Sequence, residues 1–277
     1  MRRGLPLLVA SCHPGPTVVV TGLATALAAG RGLPLRRVAL VAGAVLAGQL
    51  TIGWGNDLVD AERDRVAGRL DKPLAEDPAA RRQVRMALAG ATVGCLVLSR
   101  WCGRGAGLVH VVLVVGSGWA YNAGLKRTTL SILPYAVAFG GLPHVPHLTG
   151  AGPDGGRGPA AGPAPLWQTA AGALLGCSAH LLNVLPDLDD DALTGVRGYP
   201  HRWSPAALRA QAAAGLVGAQ LAVLLGARPS RRATLGGLAL AAPLAVGVVR
   251  GRGRTPFWCA AALAAVDVVT WVGTASR

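Results

Sequence analysis

The chain has 277 residues, 52% of them hydrophobic and only 14% charged. Roughly a quarter of an ordinary soluble domain is charged, so that class is excluded in favour of a polytopic membrane protein, rich in the Ala, Val, Leu and Gly that suit packed membrane helices. The net charge of +14 comes from Lys and Arg spread between apolar runs, which argues against nucleic acid as a partner and for retention of a cytoplasmic face.

A spanning helix needs about 20 mostly apolar residues. Nine segments qualify, at roughly 15–30, 37–56, 84–100, 105–122, 129–147, 166–185, 205–226, 233–250 and 256–274. The expected fold is therefore all-α, a polytopic bundle of nine transmembrane helices in a single domain over 1–277. The basic start, MRRGLPLLVASCHPGP, leads into the first helix. With the N-terminus inside, seventeen of the 27 Lys and Arg fall on cytoplasmic segments and ten outside. The expectation is a multi-pass cell-membrane protein with N-terminus in and C-terminus out.

Between helices 2 and 3 lies NDLVDAERDRVAGRLDKP, residues 56–73. Seven of the thirteen acidic residues fall within 57–77, and four more within 187–191. The two clusters repeat. Asn56, Asp60, Asp64, Gly68 and Pro73 recur as Asn183, Asp187, Asp191, Gly195 and Pro200, each 127 positions later. Five matches at one offset point to internal duplication. Repeat one is expected over about 15–128 and repeat two over about 129–250, with the ninth helix, 256–274, closing the bundle. Helices 2 and 6 then both run inward and end on an acidic motif at the cytoplasmic face. The loop after helix 4, with Lys126 and Arg127, lies on that same side.

The Gly- and Pro-rich stretch 144–165 reads as a flexible linker. Its His144 and His147, on the opposite face from the carboxylates, are not expected to hold a metal. The five cysteines show no metal or C-x-x-C spacing and read as small buried apolar side chains. Asp267 stands alone in the last apolar run. It is expected to be structural, either hydrogen-bonded or reaching toward the outer surface.

Residues i, i+4 and i+8 share one face of a helix. Asn56, Asp60 and Asp64 do so, as do Asn183, Asp187 and Asp191; Asp57 joins the first set at i, i+3 and i+7. Each copy would then present a ladder of oxygen ligands at a helix end. Carboxylates gathered at close range raise each other's pKa or recruit cations. All-oxygen ligands suit a hard divalent ion, and Mg2+ characteristically combines one or two carboxylates with substrate phosphates and waters. Arg65, Arg69, Lys72, Lys126 and Arg127 lie on the same side. The combination describes a site for a metal-bound diphosphate whose tail enters the membrane core. PDLDDDALTG is not an EF-hand, since Ala192 and Gly198 stand where Gly and Glu are required.

NDLVDAERD resembles the N-D-x-x-D-x-x-x-D signature of the UbiA-type intramembrane prenyltransferases. Asp187 and Asp191 resemble that family's second D-x-x-x-D, and YNAGLKR, residues 121–127, resembles its tyrosine-to-basic segment after helix 4. The resemblance implies that Asp57, Asp60 and Asp64 hold one Mg2+ and that Asp187 and Asp191 hold another. Asn56 and Asn183 would stand in or behind those shells. Arg65, Arg69, Lys72, Lys126 and Arg127 would contact the diphosphate, with loops 57–83 and 186–204 as a cap. Tyr121 or Trp54 would face the allylic cation. In departure from the family, Val184 replaces an Asp, Lys72-Pro73-Leu74 replaces Arg-Pro-Leu, and His13 stands where an Arg often recognises carboxylated acceptors. His13 is thus a candidate for the acceptor pocket.

The expected function is Mg2+-dependent transfer of a prenyl group from an isoprenoid diphosphate to a lipophilic acceptor, aromatic or quinone-like acceptors included. That places the enzyme among transferases of alkyl or aryl groups other than methyl. A UbiA-like terpene cyclase would use the same site without an acceptor. A cation-coupled transporter would instead carry its carboxylates near the bilayer midplane.

Overall fold

The computed structural model describes residues 4–66, 74, 77–150, 161–193 and 195–275, and every regular element among them is a helix. Among the described residues, seven helices are long and apolar enough to cross a membrane. The remaining expected spans take other forms, and the reasons lie in local sequence.

The first span begins with a short helix, α1 (Leu5–Ser11), followed by α2 (Pro14–Gly30) at 77° to it. His13 makes the corner in a left-handed conformation, φ 53° and ψ 65°. Pro14 explains the break, because a residue before proline is pushed out of the right-handed helical region. Helix α3 (Leu35–Val66) contains no proline and runs 32 residues, about 48 Å at 1.5 Å per residue. A hydrocarbon core is about 30 Å thick, so the acidic end of α3 extends beyond its apolar stretch without interruption.

After α4 (Pro78–Cys102), capped by the Asp77 carboxylate on Ala79 N–H at 2.9 Å, the chain turns at Gly103. The next span is composite. It consists of α5 (Arg104–Leu108), a π-helical segment (Val109–Val115) and α6 (Gly116–Ala123). A 3-10 turn (Leu125–Arg127) follows. The expected helix over 129–147 is two pieces, α7 (Leu133–Gly141) and α8 (His144–Thr149). Pro143 and Pro146 withhold the backbone donors that would join them.

The linker expectation for 144–165 is corrected over its first six residues. His144–Thr149 is helical, His147 is buried, and the His144 ring bonds Thr169 Oγ1 at 2.9 Å and accepts from Ala164 N–H at 3.1 Å. Residues 151–160 lie outside the described part.

Helix α9 (Leu166–Val184) gives way to a 3-10 turn (Leu185–Asp187) and the short α10 (Leu188–Leu193). A further 3-10 turn (Tyr199–Arg202) precedes α11 (Pro205–Ala227), α12 (Arg231–Arg250) and α13 (Thr255–Ala275). Ser204 and Ser230 cap α11 and α12.

Helix α3 packs on α2 and α4, α9 packs on α7 and α11, and α13 packs on both α12 and α2. Close approach rather than hydrophobicity holds helices together in lipid. Between α7 and α9 it depends on glycine: a Cβ on Gly172 would strike the Phe139 carbonyl, and one on Gly176 the Tyr135 carbonyl. The result is a set of helices around a central cavity.

Candidate functional site

The site begins at the polar end of α3. Asp57 is 3% exposed and Asp60 4%. Buried carboxylates require partners, and both have them. Lys126 Nζ donates to both oxygens of Asp60 at 2.6 Å, and it also reaches Asn56 Oδ1 at 3.5 Å. Lys126 is itself buried, presented by the 3-10 turn after α6. His13 Nε2 lies 3.1 Å from Asp57 Oδ1. That contact ties down the left-handed corner, a conformation few non-glycine residues adopt.

Below this pair opens a cavity of about 220 Å³. Its polar end carries His13, Gln49, Asn56, Asn122 and Asn183; the remaining wall is mostly apolar, from α2, α3, α7, α9 and α13. Asn56 and Asn183, equivalent positions of the sequence repeat, thus face one space. Asn122 is held by donating to the Ile52 carbonyl at 3.0 Å.

An aromatic group stands beside the asparagines. Tyr121 meets Tyr135 edge-on at 5.2 Å and His180 edge-on at 5.5 Å. His180 stacks on Tyr135 at 4.6 Å. Tyr121, Tyr135 and Phe139 line the cavity. Behind them His180 Nε2 lies 3.1 Å from Ser131 Oγ, which accepts from Tyr199 N–H at 2.9 Å. The second loop is therefore fastened to the aromatic group through one serine. Gly198 permits this, because a Cβ there would collide with Ser131 and the Lys126 carbonyl.

The second acidic motif differs from the expected ladder. Pro186 has no N–H to continue α9, so Asn183, Asp187 and Asp191 do not share a single regular helix. Asp187 is exposed. Asp191 lies 3.4 Å from His201 Nε2.

Other expected residues separate. Arg65 pairs with Glu62 at 2.6 Å on the exposed side of α3, and Arg127 is exposed, whereas Asp57, Asp60 and Lys126 are buried. Trp54 is a core residue: its indole donates to the Leu8 carbonyl at 2.9 Å, and it packs with Leu7, Cys12 and Leu74. The Asp64 side chain, Arg69 and Lys72 lie outside the described residues. Asp267 is 3% exposed, so it does not reach the surface, and its Oδ1 makes no hydrogen bond within the protein. Tyr135, Asn122 and His180 were not legible as site residues, because each is one polar group within an apolar run.

The donor chemistry fits a hard cation. Asp57 and Asp60 offer carboxylates and Asn56 an amide oxygen, and the Lys126 ammonium seated on Asp60 marks where positive charge is held. Among the described residues no three His, Cys, Asp or Glu side chains form a ready metal cage. An Mg2+ here would complete its shell with phosphate and water oxygens, its usual habit.

A UbiA homolog from Aeropyrum pernix K1, in its apo form, superposes with a TM-score of 0.71 at 18% identity, covering 92% of this chain and 96% of that one. A UbiA homolog from Archaeoglobus fulgidus bound to GPP and Mg2+ gives 0.70 at 11% identity over 98% and 100%. Digeranylgeranylglyceryl phosphate synthase gives 0.66 at 13% identity over 98% of each chain. No curated protein matches significantly. At these identities the solved structures speak for the fold. The UbiA prenyltransferase family model, however, matches residues 17–272, and the chain belongs to that family.

Proposed function

We propose that the protein is a Mg2+-dependent intramembrane prenyltransferase, moving a prenyl group from an isoprenoid diphosphate to a lipophilic acceptor. The observation that carries this reading is the buried Asp60–Lys126 pair, 3.5 Å from Asn56, which lines an apolar cavity. Two structures of the Archaeoglobus fulgidus homolog, bound to GPP and Mg2+ and to DMAPP and Mg2+, support it.

Asp57 and Asp60 would hold the metal, with Asp64, Asp187 and Asp191 completing the acidic set. Mg2+ would neutralise the charge that develops on the departing diphosphate. Lys126 would shift from Asp60 to a diphosphate oxygen and bring positive charge to where negative charge grows. Arg69 and Lys72 would close over the same group. Tyr121 and Tyr135 would turn their faces to the allylic cation, and the apolar wall would keep water from it. His13, beside Asp57 at the polar end, would contact the acceptor. The proposed setting is a bundle of nine spans, counting the α1–α2 and α7–α8 pairs as one each, built from two repeats with the site at the cytoplasmic face.

The test uses purified protein with Mg2+ and geranyl diphosphate, with and without phenol or quinone acceptors. Diphosphate release should fall about 100-fold or more in Asp60→Asn. Release at wild-type rate in that variant would remove the site. A prenylated acceptor is the expected product; a cyclic hydrocarbon formed without acceptor would identify a cyclase instead.

A further inference from the structure

The span from Arg104 to Ala123 carries its π-helical segment, Val109–Val115, between α5 and α6. From Gly105 to Gly116 the one side chain able to hydrogen-bond is His110; the rest are Val, Leu, Ala and Gly. His110 is fully buried, and its Nδ1 lies 2.7 Å from Ser99 Oγ on α4. Its Nε2 rests on α3 at Gly48, where a Cβ would strike it, and has no hydrogen-bond partner within the protein. Val115 meets the same Gly48. Side chains five residues apart stand about 140° apart around an α-helix. The wider i→i+5 turn is what brings His110 and Val115 onto one face.

That turn holds one residue more than an α-helical turn. Wound as α-helix throughout, the same residues would rotate α6 by about 100° relative to α5. In the π register α6 fits closely on α3: Gly118 admits Ile52, Gly55 admits Trp119, and Asn122 donates to the Ile52 carbonyl at 3.0 Å. The same phase puts Tyr121 and Asn122 on the cavity, and the turn after Gly124 brings Lys126 to Asp60. Valine and leucine do not distinguish one register from the next, since each register buries similar apolar surface. The Ser99 bond does, because a histidine buried out of its reach would have no partner for either ring nitrogen. A leucine at 110 would avoid the unpaired Nε2 and would forgo that discrimination.

We propose that His110 is a positioning residue: held by Ser99 and seated on Gly48, it selects the π-helical register that aims Tyr121, Asn122 and Lys126 at the site. One buried polar side chain can fix the register of an otherwise apolar helix contact. The consequence for catalysis rests on the diphosphate reading of the site; the choice of register does not.

The test compares wild type with Ser99→Ala, His110→Asn, His110→Leu, and His110→Leu from which Val112, an exposed residue of the π segment, is deleted. Asparagine keeps a polar nitrogen near the place of Nδ1. Deleting one residue from the wide turn leaves a regular α-helix whose two ends keep their wild-type phase, so it rescues a register fault and aggravates a packing fault. Register is read without turnover by disulfide formation between Ile52→Cys and Gly118→Cys, introduced together into each form. The cross-link should form in wild type, His110→Asn and the deletion form, and be largely lost in His110→Leu and Ser99→Ala. With geranyl diphosphate and Mg2+, kcat should fall about 100-fold in His110→Leu, the scale for a reacting group displaced by an ångström or more, and return to within about tenfold of wild type on deletion. His110→Asn should stay within about tenfold of wild type. Wild-type cross-linking in both Ser99→Ala and His110→Leu, or no recovery on deletion, would overturn the role. If the cross-links follow the expected pattern while no form, wild type included, releases diphosphate, the register role stands and the transferase reading fails.

Discussion

On the proposed reading, Lys126 serves two states with one side chain. Seated 2.6 Å from both oxygens of Asp60, it neutralises a carboxylate that burial would otherwise make costly. Removing one partner of such a pair leaves an uncompensated charge, at a cost of about 3–5 kcal/mol. Lys126→Met should therefore lower the thermal midpoint in detergent. The double variant Lys126→Met, Asp60→Asn should recover most of that loss while remaining inactive. Unfolding of Lys126→Met at the wild-type temperature would show that the pair carries no such burden. His13 shows the same economy, its ring holding Asp57 while its backbone makes the corner before Pro14.

Helix ends, rather than helix bodies, distinguish the two acidic motifs. Helix α3 runs unbroken through Asn56 and Asp60, and both of its first carboxylates are buried. Helix α9 stops at Val184 before Pro186, and Asp187 turns outward. Identical spacing thus yields different geometry because one copy carries a proline where a backbone donor is needed. The α7–α9 contact tests a different local rule. Gly176→Leu should destabilise by about 1–3 kcal/mol through overpacking against Tyr135 and Phe139. Gly90→Leu, with no atom near its added Cβ, should leave the thermal midpoint nearly unchanged. Equal effects from the two would refute the close-packing account.

Across the whole molecule, residues far apart in sequence are joined at one cavity. The Tyr199–Ser131–His180 connection fastens the loop after α10 to the aromatic group. Ser131→Ala would leave Tyr199 N–H and His180 unpaired, worth about 1–3 kcal/mol for each buried group. The expected result is a raised KM for the diphosphate and faster proteolysis within 186–204, with the helical circular dichroism retained. Unaltered KM and cleavage would show that the loop is held by other contacts.

The all-helical class and most of the spans were legible in the sequence, and so were Asp57, Asp60 and Lys126 as candidates, which the structure buries close together. Apolar length, proline-free continuity and the position of charge are properties of consecutive residues. Asn56 and Asn183, matched by the repeated spacing, both line the cavity. The linear chain could not separate Lys126 from Arg127, or Asp60 from Asp187, because which side of a turn is buried depends on what packs against it. Trp54 and Tyr121 were equal candidates to face the allylic cation, yet one donates to Leu8 in the core and the other lines the cavity. Asp267 stood alone in sequence. Only the packing of α13 against α9 and α2 buries it, with Oδ1 making no hydrogen bond within the protein. Sequence determined which segments enter the bundle, through hydrophobicity and backbone donors; tertiary packing decided which polar groups meet, because burial and pairing are properties of neighbours.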